Sequence, residues 1–554
     1  MTTTSQPHKS TPRAGFFKQL LAVLVAAPLI TSCADKAADE AESYGSAGPT
    51  EASARSLLTV TDMDGSPLGG AMISVRVDEN RRITRFTDAS GRIDLSELPA
   101  SDASLSISFP GKKLHQLRKS TPAGALALAD DEEYRRHLPS NQWLELLPTE
   151  DPRKREFTVN CGTCHEVAHD RITVDGVPRT KDQWLAAIAM MRAMDAYEVI
   201  PPDFDDDAYS AWLAEHFDAE AIETLTPQIP SDLDQLSQIE ITEYALPESG
   251  SLPHDLVTGP DGRIWITAFF YDELWALTPS SGAIERFPVD TRPDVNAQPR
   301  ALEFNDEGIL WLVNGGTESV LRFDPMTGAY REISVGMYAH SIDLGPAGEV
   351  WVNDYFAAQE RVAKVDPVDD SVTLVPVPEA RRPASEGLPL PYGLQVDSYG
   401  RVYSTQLAAN TLVRYDSRDG SADLWEMPAE NSGPRRPGLD PSDGLWIPEF
   451  NTGHIALFSP ETQEFSRVKL GDPSTGLYDV EVNQANGDVW TTGSLASTLI
   501  RYVPATGEIL TVPLPTEPAY TRHIAIDEDT GDVWTAYSSL PAAEPQVVRL
   551  RFLK

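Results

Sequence analysis

Cys161-Gly162-Thr163-Cys164-His165 is the stretch whose residue types and spacing most directly imply chemistry. Two thiols with two residues between them can add to the two vinyl groups of one haem, and the next residue then lies under the iron. His165 would be the proximal imidazole of a haem c. The distal ligand should be a methionine or a histidine. His169 lies too near the motif to reach the far face, whereas Met190, Met191 and Met194 follow at a workable distance. Two other readings compete. Cys161 and Cys164 could form a disulfide, or part of a zinc site, but zinc needs about four ligands. The chain has only three cysteines, and the third has a different setting.

That third cysteine, Cys33, follows a basic stretch (Lys9, Arg13, Lys18) and an apolar run from Leu20 to Ile30. The run is too short to span a bilayer and reads as a signal peptide, residues 1–32. Ile30-Thr31-Ser32-Cys33 resembles a bacterial lipobox, in which the cysteine is acylated and becomes the mature N-terminus. The resemblance implies a chain anchored on the periplasmic side of a bacterial membrane through its lipid alone. Residues 33–55, rich in Ala, Glu and Ser, read as a flexible tether. The whole chain carries 84 acidic and 45 basic residues, a net charge of −39. Such a chain does not bind nucleic acid through phosphates, which needs a basic face. It suits basic protein partners.

The elements that must position the motif come next. Residues 56–112 read as β, with strands near 57–61 and 71–77 and turns at Asp62-Met63-Asp64-Gly65 and Asp88-Ala89-Ser90-Gly91. Gly65-Ser66-Pro67-Leu68-Gly69-Gly70-Ala71 resembles the start of a carboxypeptidase regulatory-like domain, which implies a small β-sandwich used as a spacer or adhesive module. Residues 113–130 read as a linker. Residues 131–220 are helical in pattern: 151–160 before the motif, 183–194 with Trp184, Ile188 and Met191 at helical spacing, and 207–217. That order resembles a small class I cytochrome c. In those cytochromes a tryptophan often precedes the ligand methionine by seven residues, so Trp184 selects Met191, with Met194 next. The acidic run Asp203, Asp205, Asp206, Asp207 at the start of the last helix reads as capping rather than metal binding.

From 237 to 554 a unit of 40 to 50 residues recurs. Each holds a short apolar strand, an aromatic-led strand and two more, the aromatics being Trp265, Trp311, Trp351, Tyr403, Trp446, Trp490 and Trp534. Four strands per unit predict a seven-bladed β-propeller. The last unit lacks a fourth strand, and 239–247 is predicted to supply it and close the ring. The fold class is therefore multidomain and mainly β: a small β-sandwich, an α-helical cytochrome c domain and the propeller. Aligned on the aromatics, the second residue of each inner strand is His254, Arg300, His340, Tyr392, Arg435, Tyr478 or Arg522, with Arg436 and His523 directly after. These side chains are predicted to converge at one solvated mouth and to bind a small anionic ligand, since guanidinium matches carboxylate and phosphate.

The units, Pro253-His254-Asp255-Leu256 with Gly262-Arg263-Ile264-Trp265 for instance, resemble streptogramin lyase (virginiamycin B lyase-like) propellers. The resemblance implies two histidines in adjacent blades, a glutamate three residues past the second anchor tryptophan, and magnesium. Here Arg300 stands between His254 and His340, and the acidic position holds Ala268, Asp354 and Glu449 in different blades. The triad is not intact, which leaves His340 with Asp354 as a rearranged acid–base pair. The leading expectation is an exported c-type cytochrome that transfers one electron at a time, through a redox partner protein, with a propeller that binds an anion or that partner. The alternatives are a lyase or hydrolase working in the mouth, a quinone-dependent dehydrogenase, and an adhesive or sensory protein. The dehydrogenase is opposed by the absence of an eight-blade pattern and of adjacent cysteines in the propeller.

Overall fold

A computed structural model describes residues 56–99, 104–118, 124–162, 166–193, 204–289, 292, 294–381, 388–538 and 544–553. Cys33, Cys164, His165, Met194 and Asp203 lie outside the described residues, as do the signal and tether segments. No described helix is long and apolar enough to cross a membrane.

Residues 239–552 form seven four-stranded antiparallel blades, six of them separate sheets and the seventh part of a larger one. Six of their second strands are buried along their whole length, as in Leu310–Asn314 and Val350–Asp354, because neighbouring blades cover both faces. Outer fourth strands such as Ala283–Pro288 and Glu464–Lys469 are largely exposed and carry charge. The anchor aromatics lie on the second strands and are between 0 and 4% exposed, so each blade is pinned to its neighbour by one large ring. Inner strands pack side by side around the axis, and Pro253–Thr258 touches both Pro299–Phe304 and Thr521–Ile526, which closes the circle. The expected closing strand is present: Ile239–Ala245 pairs antiparallel with Gln546–Phe552.

That strand also pairs on its other edge with Arg81–Phe86. The N-terminal strands therefore extend the last blade into an eight-stranded sheet. The 113–130 stretch is not a linker throughout. His115–Arg118 pairs with Ser104–Ser108, and Ala125–Leu128 runs parallel to Leu57–Asp62.

Between the N-terminal strands and the propeller lie the helices Pro152–Cys161, Lys181–Ala193 and Asp206–His216, close to the predicted spans. Asp151 and Asp205 cap the first and last by accepting from Arg153 N and Ala208 N. Asp206 and Asp207 pair with Arg192 and Lys181, each at 2.8 Å, which ties the last two helices together. Phe157, Trp184 and Phe217 meet at ring separations of 5.9 to 6.3 Å and form their shared core. This core does not stop at the helices. One apolar cluster runs from Trp143, Phe157 and Trp212 into Tyr392, Phe450, Tyr478, Leu495 and Tyr520 of the propeller. The helical segment is thus seated on the propeller mouth, and Asn141 N donates to Leu495 O at 2.7 Å.

Candidate functional site at the propeller mouth

The mouth is built by a repeated irregularity. In six blades the register between inner and second strand slips between the first and fourth residues, for example between Pro253 and Leu256 or Leu477 and Val480. A bulge leaves its residues unpaired and re-aims their side chains. The second and third residues of the inner strands fall in that slip. The fifth blade departs further, because Pro434 and Pro437 flank Arg435-Arg436 and a proline cannot donate to a ladder. Its inner strand shrinks to Gly438–Leu439, and Arg436 pairs instead with Asp479 of the next blade. Gly393 is required beside it, since a Cβ there would lie 2.4 Å from Pro437.

The predicted ring residues do meet. His254 and His340 have ring centroids 6.4 Å apart, and His340 lies 4.2 Å from Tyr392. The Tyr392 and Tyr478 hydroxyls hydrogen-bond to each other. Arg435 stacks on Phe450 and Tyr478 at 3.9 and 4.3 Å, and Arg522 donates to the Tyr478 hydroxyl at 3.0 Å. Arg300 donates to the Tyr338 hydroxyl at 2.6 Å and lies over Phe269, which stacks on His254. Burial pushes the Tyr478 phenol up, but Arg522, Arg435 and Arg436 outweigh it and hold it below its ordinary value. Three guanidiniums thus set a positive environment around this one phenol.

The expected solvated mouth is overturned. Arg435 and His340 are 1% exposed and Tyr478 is 0% exposed. The helical segment is seated on the mouth, so most of its polar ring lies inside the molecule, with Arg300 and His523 left partly exposed. Arg435→Ala is accordingly a change in a buried core.

Sequence alignment passes over the pairing of the third residues. Arg436 donates Nη1 to Asp255 Oδ2 at 2.6 Å, across the ring from the fifth blade to the first. Burial would raise the Asp255 carboxyl, yet Arg436 and His254 hold it well below the usual range. Asp479 goes the other way: burial pushes it up to about 8 despite Arg436. The fifth residues form a deeper acidic layer. Burial raises Glu303 to about 8 and Asp343 to about 7, and Glu481 well above the ordinary value. The signal for both layers was the same aligned columns, one and three places further along each strand.

The structure does not join His340 to Asp354. His340 Nδ1 lies 2.9 Å from the Tyr392 carbonyl oxygen, while Asp354 accepts from Arg361 Nε at 2.6 Å. Glu449 is held by Arg467 at 2.5 and 2.8 Å and by Thr452 at 2.6 Å. Met191 is half-buried on the helix face that carries buried Trp184 and Ile188, and Met190 is 52% exposed.

Comparison with known proteins finds similarity to solved structures only. No family model matches the chain, and no curated protein matches it. Among solved structures a streptogramin B lyase aligns at 21% identity and TM-score 0.49 over 57% of this chain and 98% of its own. Virginiamycin B lyase from Staphylococcus aureus aligns at 19% identity and TM-score 0.49, over 57% of this chain and 100% of that one. Hydrazine synthase from Kuenenia stuttgartiensis aligns at 12% identity and TM-score 0.44, over 55% and 97%. The β-propeller itself rests on the seven blades.

Proposed function

We propose that this chain is an exported c-type cytochrome, anchored by a lipid on Cys33 at the periplasmic side of a bacterial membrane, whose haem exchanges single electrons with a redox partner protein. Cys161 and Cys164 hold the haem covalently, and His165 and Met191 are its axial ligands. The observation that carries this reading is the placement of Cys161. It ends the Pro152–Cys161 helix, half-buried, against the apolar cluster shared by the helical segment and the propeller mouth. The surroundings suit a large flat apolar group with polar edges. The indole N–H groups of Trp143, Trp184 and Trp212 are buried there without a partner among the described residues. A Cβ on Gly162 would lie 2.7 Å from Thr158 O, so the backbone after the first thiol is tightly folded.

When bound, haem supplies a one-electron couple whose potential follows its axial ligands and burial. The protein's share is to hold Cys161 at a helix end, to wall the site with aromatic rings, and to keep water away by seating the segment on the mouth. The propeller beneath binds a small anionic ligand in its positive ring. The lyase reading has no geometric support of its own, because Asp354 and Glu449 are occupied by arginines.

The test is direct. Expressed in a host competent in cytochrome c maturation, the protein should give a denatured band that stains for haem, and Cys161→Ser with Cys164→Ser should abolish the stain. A haem-free wild-type band from that host removes the reading.

A further inference from the structure

The ring has hydrogen-bonding capacity that the protein leaves unused. Arg436, 6% exposed, donates Nη1 to Asp255, but its Nε and Nη2 are buried without a partner among the described residues. Arg300 likewise leaves Nε buried and unpartnered. A buried donor without an acceptor is costly, and both guanidiniums act on the same two histidines, so these donors call for an acceptor.

The two histidines hold the opposite capacity. His254 Nδ1 faces Asp255 Oδ1 at 2.7 Å, and His340 Nδ1 faces the Tyr392 carbonyl at 2.9 Å. A carboxylate and a carbonyl accept only, so each Nδ1 carries the proton. Burial, with Arg300 and Arg436 nearby, holds His254 at about 3 and His340 well below its ordinary value. Both rings are therefore neutral at pH 7. Each presents a bare lone pair at Nε2, which makes no hydrogen bond to any described residue. Neither ring can offer an N–H at Nε2 without becoming an imidazolium.

We propose that the ring binds a small oxyanion that still carries a proton, its charged oxygens taking the unused N–H groups of Arg436 and Arg300 and its O–H donating to Nε2 of His254 or His340. A metal cation is disfavoured by those two guanidiniums. A fully deprotonated oxyanion would meet two imidazole lone pairs with nothing to give them. The proposal deepens the anion-binding part of the proposed function and is independent of the haem.

Phosphate and sulfate separate the possibilities, because both are small tetrahedral oxyanions and only phosphate keeps an O–H near neutral pH. Calorimetry on the full chain at pH 7 should show phosphate bound at least about a hundredfold more tightly than sulfate. A site built to accept a ligand hydroxyl can reject the analogue lacking it by as much as 10⁴. His340→Gln and His254→Gln bring a carboxamide N–H that can donate, so each should narrow the gap, with circular dichroism confirming the fold. Arg436→Gln should weaken both anions. Equal binding of phosphate and sulfate sinks the proton requirement while leaving an anion site. Binding that none of the three variants alters places the anion elsewhere and overturns the proposal. Binding of neither anion removes the ligand reading of the mouth as well.

Discussion

At the scale of single residues, position in the repeat is what the sequence shows clearly. Seven aromatics set the frame, and the second residue of each inner strand could be named from it. The bulges that re-aim those residues, and the pairing of Arg436 with Asp255 across the ring, depend on blades far apart in sequence and could not be read in advance. The acidic layer below has a measurable consequence. Glu303 ionises at an ordinary pKa in the unfolded chain, whereas in the folded protein burial, with Asp343 nearby, raises it to about 8. At low pH it is protonated in both states. As pH rises from the ordinary carboxyl range towards 8, the unfolded chain releases its proton while the folded one keeps it, so stability falls across that window. Glu303→Gln cannot ionise and should flatten the decline, giving a higher urea midpoint than the wild type at pH 8 and little change at pH 4.5. An unchanged slope between those pH values would mean that Glu303 ionises freely in the channel.

At the scale of elements, helix ends were legible because their caps are written locally, as at Asp151 and Asp205. The strands His115–Arg118 and Ala125–Leu128 were not, since four-residue strands without clear alternation resemble linker and gain identity only from their partners. The seat of the helical segment on the propeller was also hidden, because it joins apolar residues far apart in sequence, such as Trp143 and Leu495. Leu495 is the test of that seat. It is 0% exposed, its side chain lies against Gly162, and its carbonyl receives Asn141 N. Leu495→Ala should cost about 2–5 kcal/mol through lost transfer energy and the cavity left behind. The loss should fall on the helical segment, which has fewer other attachments than a blade closed on both sides. Hydrogen exchange should therefore quicken in Pro152–Cys161 and Asp206–His216 while the second strands of the propeller keep their protection. Equal loss of protection in both would show that segment and propeller open as one unit.

At the scale of the whole molecule, the strand Ile239–Ala245 carries two duties. It closes the propeller against Gln546–Phe552 and carries the N-terminal strands on its other edge. Closure was legible because the last unit lacked a strand and a matching one stood in front. The second duty was not, since one paired edge says nothing about the other. The two duties predict different outcomes for the same chemical change. Thr242 is 2% exposed and lies opposite Arg549 on one side and Ile83 on the other, so Thr242→Pro disrupts both ladders of a central strand. Ser106→Pro makes the same kind of break in Ser104–Ser108, opposite Ser74 and Gln116, inside the N-terminal strands alone. All 11 tryptophans lie in the helical segment and the propeller, so tryptophan fluorescence follows chiefly those parts, Trp490 alone sharing a cluster with Met72 and Phe86 of the N-terminal strands. A proline inside a hydrogen-bonded element costs about 3 kcal/mol or more, a large part of the 5–15 kcal/mol that about bounds a domain's stability. Thermal melts of the full chain followed by this signal should therefore drop markedly for Thr242→Pro, because the ring loses its closure. They should barely move for Ser106→Pro, whose damage stops at a sheet the ring does not need. If Ser106→Pro lowers the tryptophan melt as far as Thr242→Pro, the eight strands unfold together, and the N-terminal strands are a working part of the last blade rather than an addition to its edge.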